Sequence, residues 1–125
     1  MKFPANLEQL GLKTSPATAS AYAELSFDHN PLHLDADFAA TTPFGAPIAH
    51  GMMALNLLLQ AIEKTFEAER IVEHLDIRFS APVKVGEEIS AGGMLLADNS
   101  DTYEVWVQTE DGTAAIKGTL RIETA

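Results

Sequence analysis

The sequence predicts an α+β fold in which an antiparallel β-sheet wraps around one long buried helix. The first observation is a hydrophobic segment from about residue 49 to 67 that is apolar on nearly every helical face through Leu59, a pattern that indicates burial on all sides. The second is a change of period after Arg70, beyond which apolar and polar residues alternate as they do in half-buried strands. A sheet with one apolar face would cover such a helix, and both surfaces would then be removed from water.

Short extra helices are predicted near the N-terminus, ahead of the long one. The segment Ser15–Leu25 begins with a capping serine and a proline at the first helical position, and its alanines favour a helix. A second short helix is expected from Pro31 to about Ala40, with Asn30 as its N-cap. Two prolines and a glycine in TTPFGAP, residues 41–47, then predict a loop.

Four strands are expected after the long helix. They are EHLDIRF at 73–79 and segments at about 88–97, 103–109 and 114–122. In the first strand Leu75, Ile77 and Phe79 are expected to face the core. The clusters DNSD at 98–101 and EDGT at 110–113 predict hairpin turns. Neither a repeat nor a linker interrupts residues 1–125, which we expect to form one domain.

Composition and charge argue against several classes of function. The net charge is −10, and the eight Lys and Arg residues include no adjacent pair, so nucleic acid and anionic membranes are not expected as partners. The absence of cysteine excludes disulfides, thiolate nucleophiles and cysteine-bound metals. A calcium-loop pattern and an HExxH motif are also missing, so no metal is predicted. The N-terminal segment has no long apolar core, and a cytoplasmic protein is expected.

One nine-residue stretch, FDHNPLHLD at 27–35, places two histidines, two aspartates and an asparagine around a proline. Helix capping accounts for part of it, because Asn30 and Pro31 suit a helix start and Asp35 suits a first helical turn. That structural explanation leaves Asp28 and His33 unaccounted for.

The same stretch, followed by PFGAPIAHGM at 43–52 and RFSAPVKVGEE at 78–88, resembles the MaoC-like (R)-specific enoyl-CoA hydratases. These are single-domain members of the hotdog fold, and the resemblance runs from about Tyr22 to Ile122. It implies that Asp28 and His33 form a catalytic pair and that the backbone N–H of Gly51 binds a carbonyl. It also implies a homodimer that needs no cofactor and adds water to a trans-2-enoyl thioester of coenzyme A or acyl carrier protein.

The expected chemistry needs groups of these types. Hydration of a 2-enoyl thioester requires a base for the attacking water and a proton donor for C2, and positioned acid–base groups are worth about 10²- to 10⁴-fold in rate. Asp28 and His33 would hold one water between them, and a helix N-terminus near His33 would favour its neutral form. The N–H of Gly51, at the start of the buried helix, would stabilise charge on the thioester oxygen.

Other residues are predicted to bind the substrate or to have a structural role. Phe27, which stands where the family has glycine, is predicted with Asn30, His50 and Met52 to contact the acyl group or its loop. His50 has a structural alternative, since buried histidines commonly satisfy backbone groups. His29 and His74 are expected to face away from the site. The cations expected to meet the phosphates of coenzyme A are Arg78, Lys84, Lys117 and Arg121.

Two alternatives to a hydratase follow from the same motifs. A hotdog thioesterase would also combine an acid with an oxyanion donor, but would direct water at the carbonyl and release a free thiol. A non-catalytic module that binds or assembles with acyl thioesters is the second alternative, and Phe27 beside Asp28 is the feature that supports it.

Overall fold

A computed structural model describes residues 3–97 and 100–124. Along the chain the elements are β1 (Leu10–Lys13), α1 (Pro16–Ser26), α2 (Pro31–Leu34), α3 (Ala36–Ala40), α4 (Gly51–Thr65), β2 (Ile71–Phe79), β3 (Glu88–Leu95), β4 (Thr102–Thr109) and β5 (Ala114–Thr124). The predicted turn at residues 98–101 lies partly outside the described residues. The predicted turn at 110–113 joins β4 to β5.

All five strands form one antiparallel sheet in the order β1-β3-β4-β5-β2. Strand β2 therefore pairs with β5 along its whole length and forms one edge of the sheet. The other edge is β1, which the sequence analysis did not predict. Its four residues, LGLK, are too few to show the alternation of apolar and polar side chains that predicts a strand. Pairing with β3, from Leu10↔Ala91 to Lys13↔Glu88, holds them in the extended conformation.

The core forms where α4 packs on the sheet. One side of α4 contributes buried Leu57, Leu58 and Ile62, which lie in one cluster with residues of the central strands, among them Val105 and Leu120. The prediction of burial on every side of this helix is wrong: Met52 and Leu59 are exposed. The sheet covers one side of a helix, and the described single chain supplies no second layer for the other.

The predicted helix from Pro31 to Ala40 is divided at Asp35. This residue has extended backbone angles, with φ −118° and ψ 107°, and it ends α2 and caps α3. Its Oδ1 accepts hydrogen bonds from the backbone N–H groups of Asp37 at 3.0 Å and Phe38 at 3.2 Å. The capping strength of aspartate therefore starts a new helix where the propensity pattern predicts one continuous helix.

Two expectations about strand faces also need correction. Phe79 is exposed, because β2 ends there and its ring lies next to the start of α4 instead of in the core. In the strand at 114–122, strict alternation predicts Ala115 on the outer face with Lys117, Thr119 and Arg121, but Ala115 is buried. The pairing of β4 with β5 shifts by one residue, from Val107↔Ile116 to Gln108↔Ala114, so Ala115 is the extra residue of a β-bulge. A bulge changes the direction of the extra side chain.

Candidate active site

Asp28 is placed by the tight turn that follows α1. The helix ends with Phe27 in the left-handed region, at φ 59° and ψ 20°. After this reversal the backbone N–H of Asp28 donates to Ser26 Oγ at 3.3 Å, and Asp28 Oδ1 accepts from the N–H of Asn30 at 3.2 Å. One carboxylate oxygen is thus held by the turn, and the second, Oδ2, lies 3.6 Å from Nε2 of His33.

His33 is oriented by the backbone of a distant segment. Its Nδ1 lies 2.7 Å from the carbonyl oxygen of Ile48, which can only accept, so Nδ1 carries the proton and Nε2 presents a lone pair. The expected effect of a helix N-terminus on this ring stays a prediction: α2 has only four residues, of which His33 is the third. The Ile48 carbonyl fixes the tautomer.

The gap between the two groups suits a water molecule. A carboxylate oxygen and an unprotonated ring nitrogen are both acceptors, and at 3.6 Å they do not bond directly. A water that donates one hydrogen to each would leave its oxygen lone pairs free. The His33 side chain is 12% exposed and that of Asp28 50%, so the pair lies where a protein surface meets a pocket.

His50 is the third titratable residue at this point, and it is 3% exposed. Its Nε2 donates to the backbone carbonyl of Asp28 at 3.0 Å. Its ring stacks on His33 with centroids 3.9 Å apart and planes 25° apart, and a tilted contact with Tyr22 has a centroid distance of 4.9 Å. Nδ1 of His50 is buried without a hydrogen-bond partner among the described residues.

Gly51 begins α4 directly after His50, which is the N-cap. As the first residue of a 15-residue helix, Gly51 has a backbone N–H with no acceptor inside the helix, at the positive end of the dipole. A Cβ at this position would lie 3.4 Å from Cε1 of Phe79. Because Gly51 has no side chain, the space between its N–H and the ring of Phe79 stays open.

A pocket of about 320 Å³ opens beside these groups. Its polar corner is formed by His33, His50 and the start of α4 at Gly51. The other walls are mainly apolar and include Phe44, Ile48, Met53, Ala54, Phe79, Pro82, Val83, Ile89 and Ile116. Such a volume and lining are typical of sites for small, largely apolar groups.

Asp28 and the remaining predicted site residues are not part of the pocket lining. Phe27 is 85% exposed at the turn, and Asn30 caps α2 by accepting from the N–H of Leu32 at 3.0 Å. Met52 is exposed on α4. Arg78 is exposed on β2 directly opposite Lys117 of β5, and exposed Lys84 forms an isolated β-bridge with Ile48. His29 is exposed, and exposed His74 bonds Glu123 through Nε2 at 2.8 Å.

Sequence reasoning missed several residues that shape the site. The carbonyl of Ile48 orients His33, while Phe44, Phe79 and Ser80 line the pocket. All four lie within the two downstream segments, PFGAPIAHGM and RFSAPVKVGEE, that carry the family resemblance. The segments therefore mark the right region, but which backbone group meets which side chain depends on tertiary packing.

Asp28, His33 and His50 carry metal-ligating atoms that lie within 4.8 Å of one another. A histidine binds a metal ion through a lone pair in its ring plane. The two imidazoles are stacked in nearly parallel planes, which do not meet at a common ion, and Nε2 of His50 carries the proton donated to Asp28. This arrangement does not fit a metal ion.

The sheet packed on α4, with an imidazole in the lining of an apolar pocket beside a helix N-terminus and a carboxylate 3.6 Å from that imidazole, defines a hotdog domain with a candidate acid–base site. The sequence matches the MaoC-like domain family over residues 5–115, and the chain belongs to that family.

Comparison with individual proteins agrees with the family. The chain is 35% identical to the (R)-specific enoyl-CoA hydratase of Aeromonas caviae, over 88% of this chain and 86% of that protein. It is 35% identical to the 3-hydroxybutyryl-CoA dehydratase of Methylorubrum extorquens, over 64% of this chain and 52% of that protein. The solved structure of the A. caviae (R)-hydratase involved in PHA biosynthesis superimposes with a TM-score of 0.82 and 29% identity, covering 100% of this chain and 98% of that one.

These comparisons confirm the predicted fold and the predicted class of enzyme, since the named relatives are hydratases and dehydratases, which are lyases. No helix in the described part of the chain is both long and apolar enough to cross a membrane.

Proposed function

We propose that the protein adds water reversibly to a trans-2-enoyl thioester to give the (R)-3-hydroxyacyl thioester. The observation that carries this proposal is the 3.6 Å separation between Asp28 Oδ2 and Nε2 of His33, a residue that lines the apolar pocket. The names of the relatives support the reaction type and the (R) configuration.

The pair handles both proton transfers of the reaction. A water bound between Asp28 and His33 donates a hydrogen to each and directs its oxygen at C3 of the enoyl group. As the new C–O bond forms, one water proton passes to the pair, and the electrons of the double bond move toward the thioester oxygen. A proton from the pair then bonds to C2, so that the enzyme returns to its starting state with water added across the double bond.

Gly51 stabilises the charge that builds up during attack. Its N–H lies at the start of α4 beside His33 and Phe79 in the pocket lining, and the dipole of the helix supports a negative charge there. Removing one donor of this kind commonly costs about 10²- to 10³-fold in turnover. In this proposal the thioester carbonyl binds at the N–H of Gly51, with C3 toward Asp28 and His33.

The acyl chain occupies the apolar part of the pocket. Phe44 and Phe79 flank the entrance region, and Val83, Ile89 and Ile116 form its inner wall. A volume of about 320 Å³ lies at the lower end of the range for ligand pockets, which favours short acyl groups.

Coenzyme A is the carrier we propose, with its phosphates at exposed cations. Arg78 and Lys117 are direct neighbours across β2 and β5, and like charges in that position repel unless an anion is nearby. Replacing Arg78 or Lys84 with alanine is expected to raise KM and reduce its salt dependence. If both variants leave KM unchanged, the phosphates bind elsewhere or acyl carrier protein is the carrier.

A panel of 2-enoyl-CoA thioesters of increasing chain length tests the function directly. The expected result is loss of the enoyl absorbance without release of free thiol, fastest for short chains, with an (R)-3-hydroxyacyl product. Release of thiol would identify a thioesterase instead. No reaction with any chain length, together with measurable thioester binding, would identify a binding module.

A further inference from the structure

We propose that His50 is a positioning residue that holds Asp28 and His33 in their reactive arrangement. The inference rests on the proposed function, because it concerns the pair that would activate water. His50 contacts both members at once: its Nε2–H bonds the Asp28 carbonyl at 3.0 Å, and its ring stacks on His33 at a centroid distance of 3.9 Å.

The two contacts restrain motions that other contacts leave free. The Asp28 side chain is held by one bond from the Asn30 N–H, within an exposed turn. The bond from His50 ties the backbone of that turn to the start of α4. The hydrogen bond from His33 to Ile48 holds one edge of the ring, which can still tilt about that bond. Stacking on His50 blocks the tilt, and Nε2 of His33 stays directed at Asp28.

A purely structural role explains the contacts of His50 poorly. The residue occupies the N-cap of α4 but makes no capping hydrogen bond, although caps are worth about 1 kcal/mol. Its Nδ1 is buried with no partner among the described residues, an arrangement that costs free energy. Among the described residues, the only hydrogen bond of the His50 side chain and its closest ring contact both run to the proposed pair. The side chain therefore contacts the site and does not cap its own helix.

Three variants separate the two contacts. His50→Gln keeps an N–H donor for the Asp28 carbonyl and loses the stack, while His50→Phe keeps a ring against His33 and loses the donor. His50→Asn loses both but is a good N-cap. We expect kcat of His50→Asn to fall by about 10²-fold with KM changed little, since small displacements of reacting groups cost that much. His50→Gln and His50→Phe should each recover part of the loss. His74→Asn is the matched control, and its kcat should equal that of the unmodified protein.

A second readout does not depend on activity. Ring NMR of His33 should show the Nδ1–H tautomer in both proteins, because the Ile48 carbonyl sets it. The signals should be sharp in the unmodified protein and exchange-broadened in His50→Asn, whose His33 ring can tilt. Unchanged kcat and unchanged His33 signals in His50→Asn would overturn the proposal while leaving the hydratase function intact. If the unmodified protein hydrates no enoyl thioester, the proposed function fails, and the His33 signals alone decide the role of His50. If His50→Asn does not fold, the same comparison is made with the Gln and Phe variants.

Discussion

At the scale of single residues, the turn FDHNPLHLD combines atoms that stabilise the fold with atoms that we propose act in catalysis. Asp28 uses one carboxylate oxygen to hold its own turn and leaves the other facing His33. Asn30 and Asp35 cap helices, through the N–H groups of the residues that follow them. The structural explanation of this stretch is therefore confirmed for these capping atoms, and the catalytic role of Asp28 and His33 stays a proposal that concerns other atoms.

Phe27 has a left-handed backbone conformation that is unfavourable for a bulky residue. A bulky side chain in the left-handed region costs about 1–2 kcal/mol, and this one is 85% exposed, so few contacts offset the cost. We expect Phe27→Gly to raise the free energy of unfolding by up to about 1 kcal/mol in urea titrations. Leu25→Gly, at an exposed residue with ordinary helical geometry, is the control and should lower it by about 1 kcal/mol.

If Phe27→Gly instead destabilises the protein as much as Leu25→Gly does, the aromatic ring makes stabilising contacts that outweigh the strain. A partner chain or a bound acyl group would be the source of such contacts. The family resemblance places glycine here, which is the residue that the backbone geometry favours.

At the scale of secondary-structure elements, the pairing of β2 with β5 requires glycine at position 118. A Cβ on Gly118 would lie 2.1 Å from the carbonyl oxygen of Asp76 and 2.7 Å from Cα of Ile77. Because both atoms belong to backbone, Gly118→Ala should cost about 3 kcal/mol or more of unfolding free energy. Gly11→Ala is the matched strand control, because its Cβ would lie 3.7 Å from Ile89 O, an ordinary contact. Equal effects of the two substitutions would contradict the register of β2 and β5.

Glu63 of α4 and Glu73 of β2 line the same surface groove. Burial and the charge of Glu63 raise the pKa of Glu73. A carboxyl group whose pKa is raised by folding binds its proton more tightly in the folded state, so its ionised form opposes folding at neutral pH. Glu73→Gln should therefore raise Tm at pH 7, and the gain should vanish below the ordinary glutamate pKa of 4.5. Glu88→Gln, on an exposed residue of β3, is the comparison. A gain that persists at pH 3 would show that charge is not its cause.

Elements with strong local signals were predictable from the sequence. The capping serine and proline of α1, the long apolar run of α4 and the alternation in β5 predict these elements within a few residues of their ends. Strand β1, the division of the helix at Asp35 and the bulge at Ala115 were not predicted, because pairing and capping by neighbours decide them. In the candidate site, the motifs predict Asp28, His33 and Gly51, and the structure brings Asp28 within 3.6 Å of His33. The stack of His33 on His50 was not predictable, because it depends on three-dimensional contact.

At the scale of the whole molecule, we expect two copies to pair through β2. The nine-residue strand is an edge of the sheet, and exposed Val72 and Phe79 lie on it, with exposed Met52 and Leu59 on α4. An uncovered edge of this length invites pairing with another strand. The expected result is a twofold dimer by light scattering at micromolar concentration, with slow hydrogen exchange at the outward amides of β2. A monomer with fast exchange along β2 would contradict this arrangement.

The central claim is that Asp28 and His33 act together on one water, and turnover of their single and double variants tests it most directly. Asp28→Asn and His33→Gln should each lower kcat for hydration by about 10²-fold or more, with KM changed little and circular dichroism unchanged. The double variant should be nearly as active as either single variant, because removing one member already disables the pair. Contradiction would come from variants that fold and hydrate the enoyl thioester at the rate of the unmodified protein, since the 3.6 Å gap between these groups would then have no part in the chemistry.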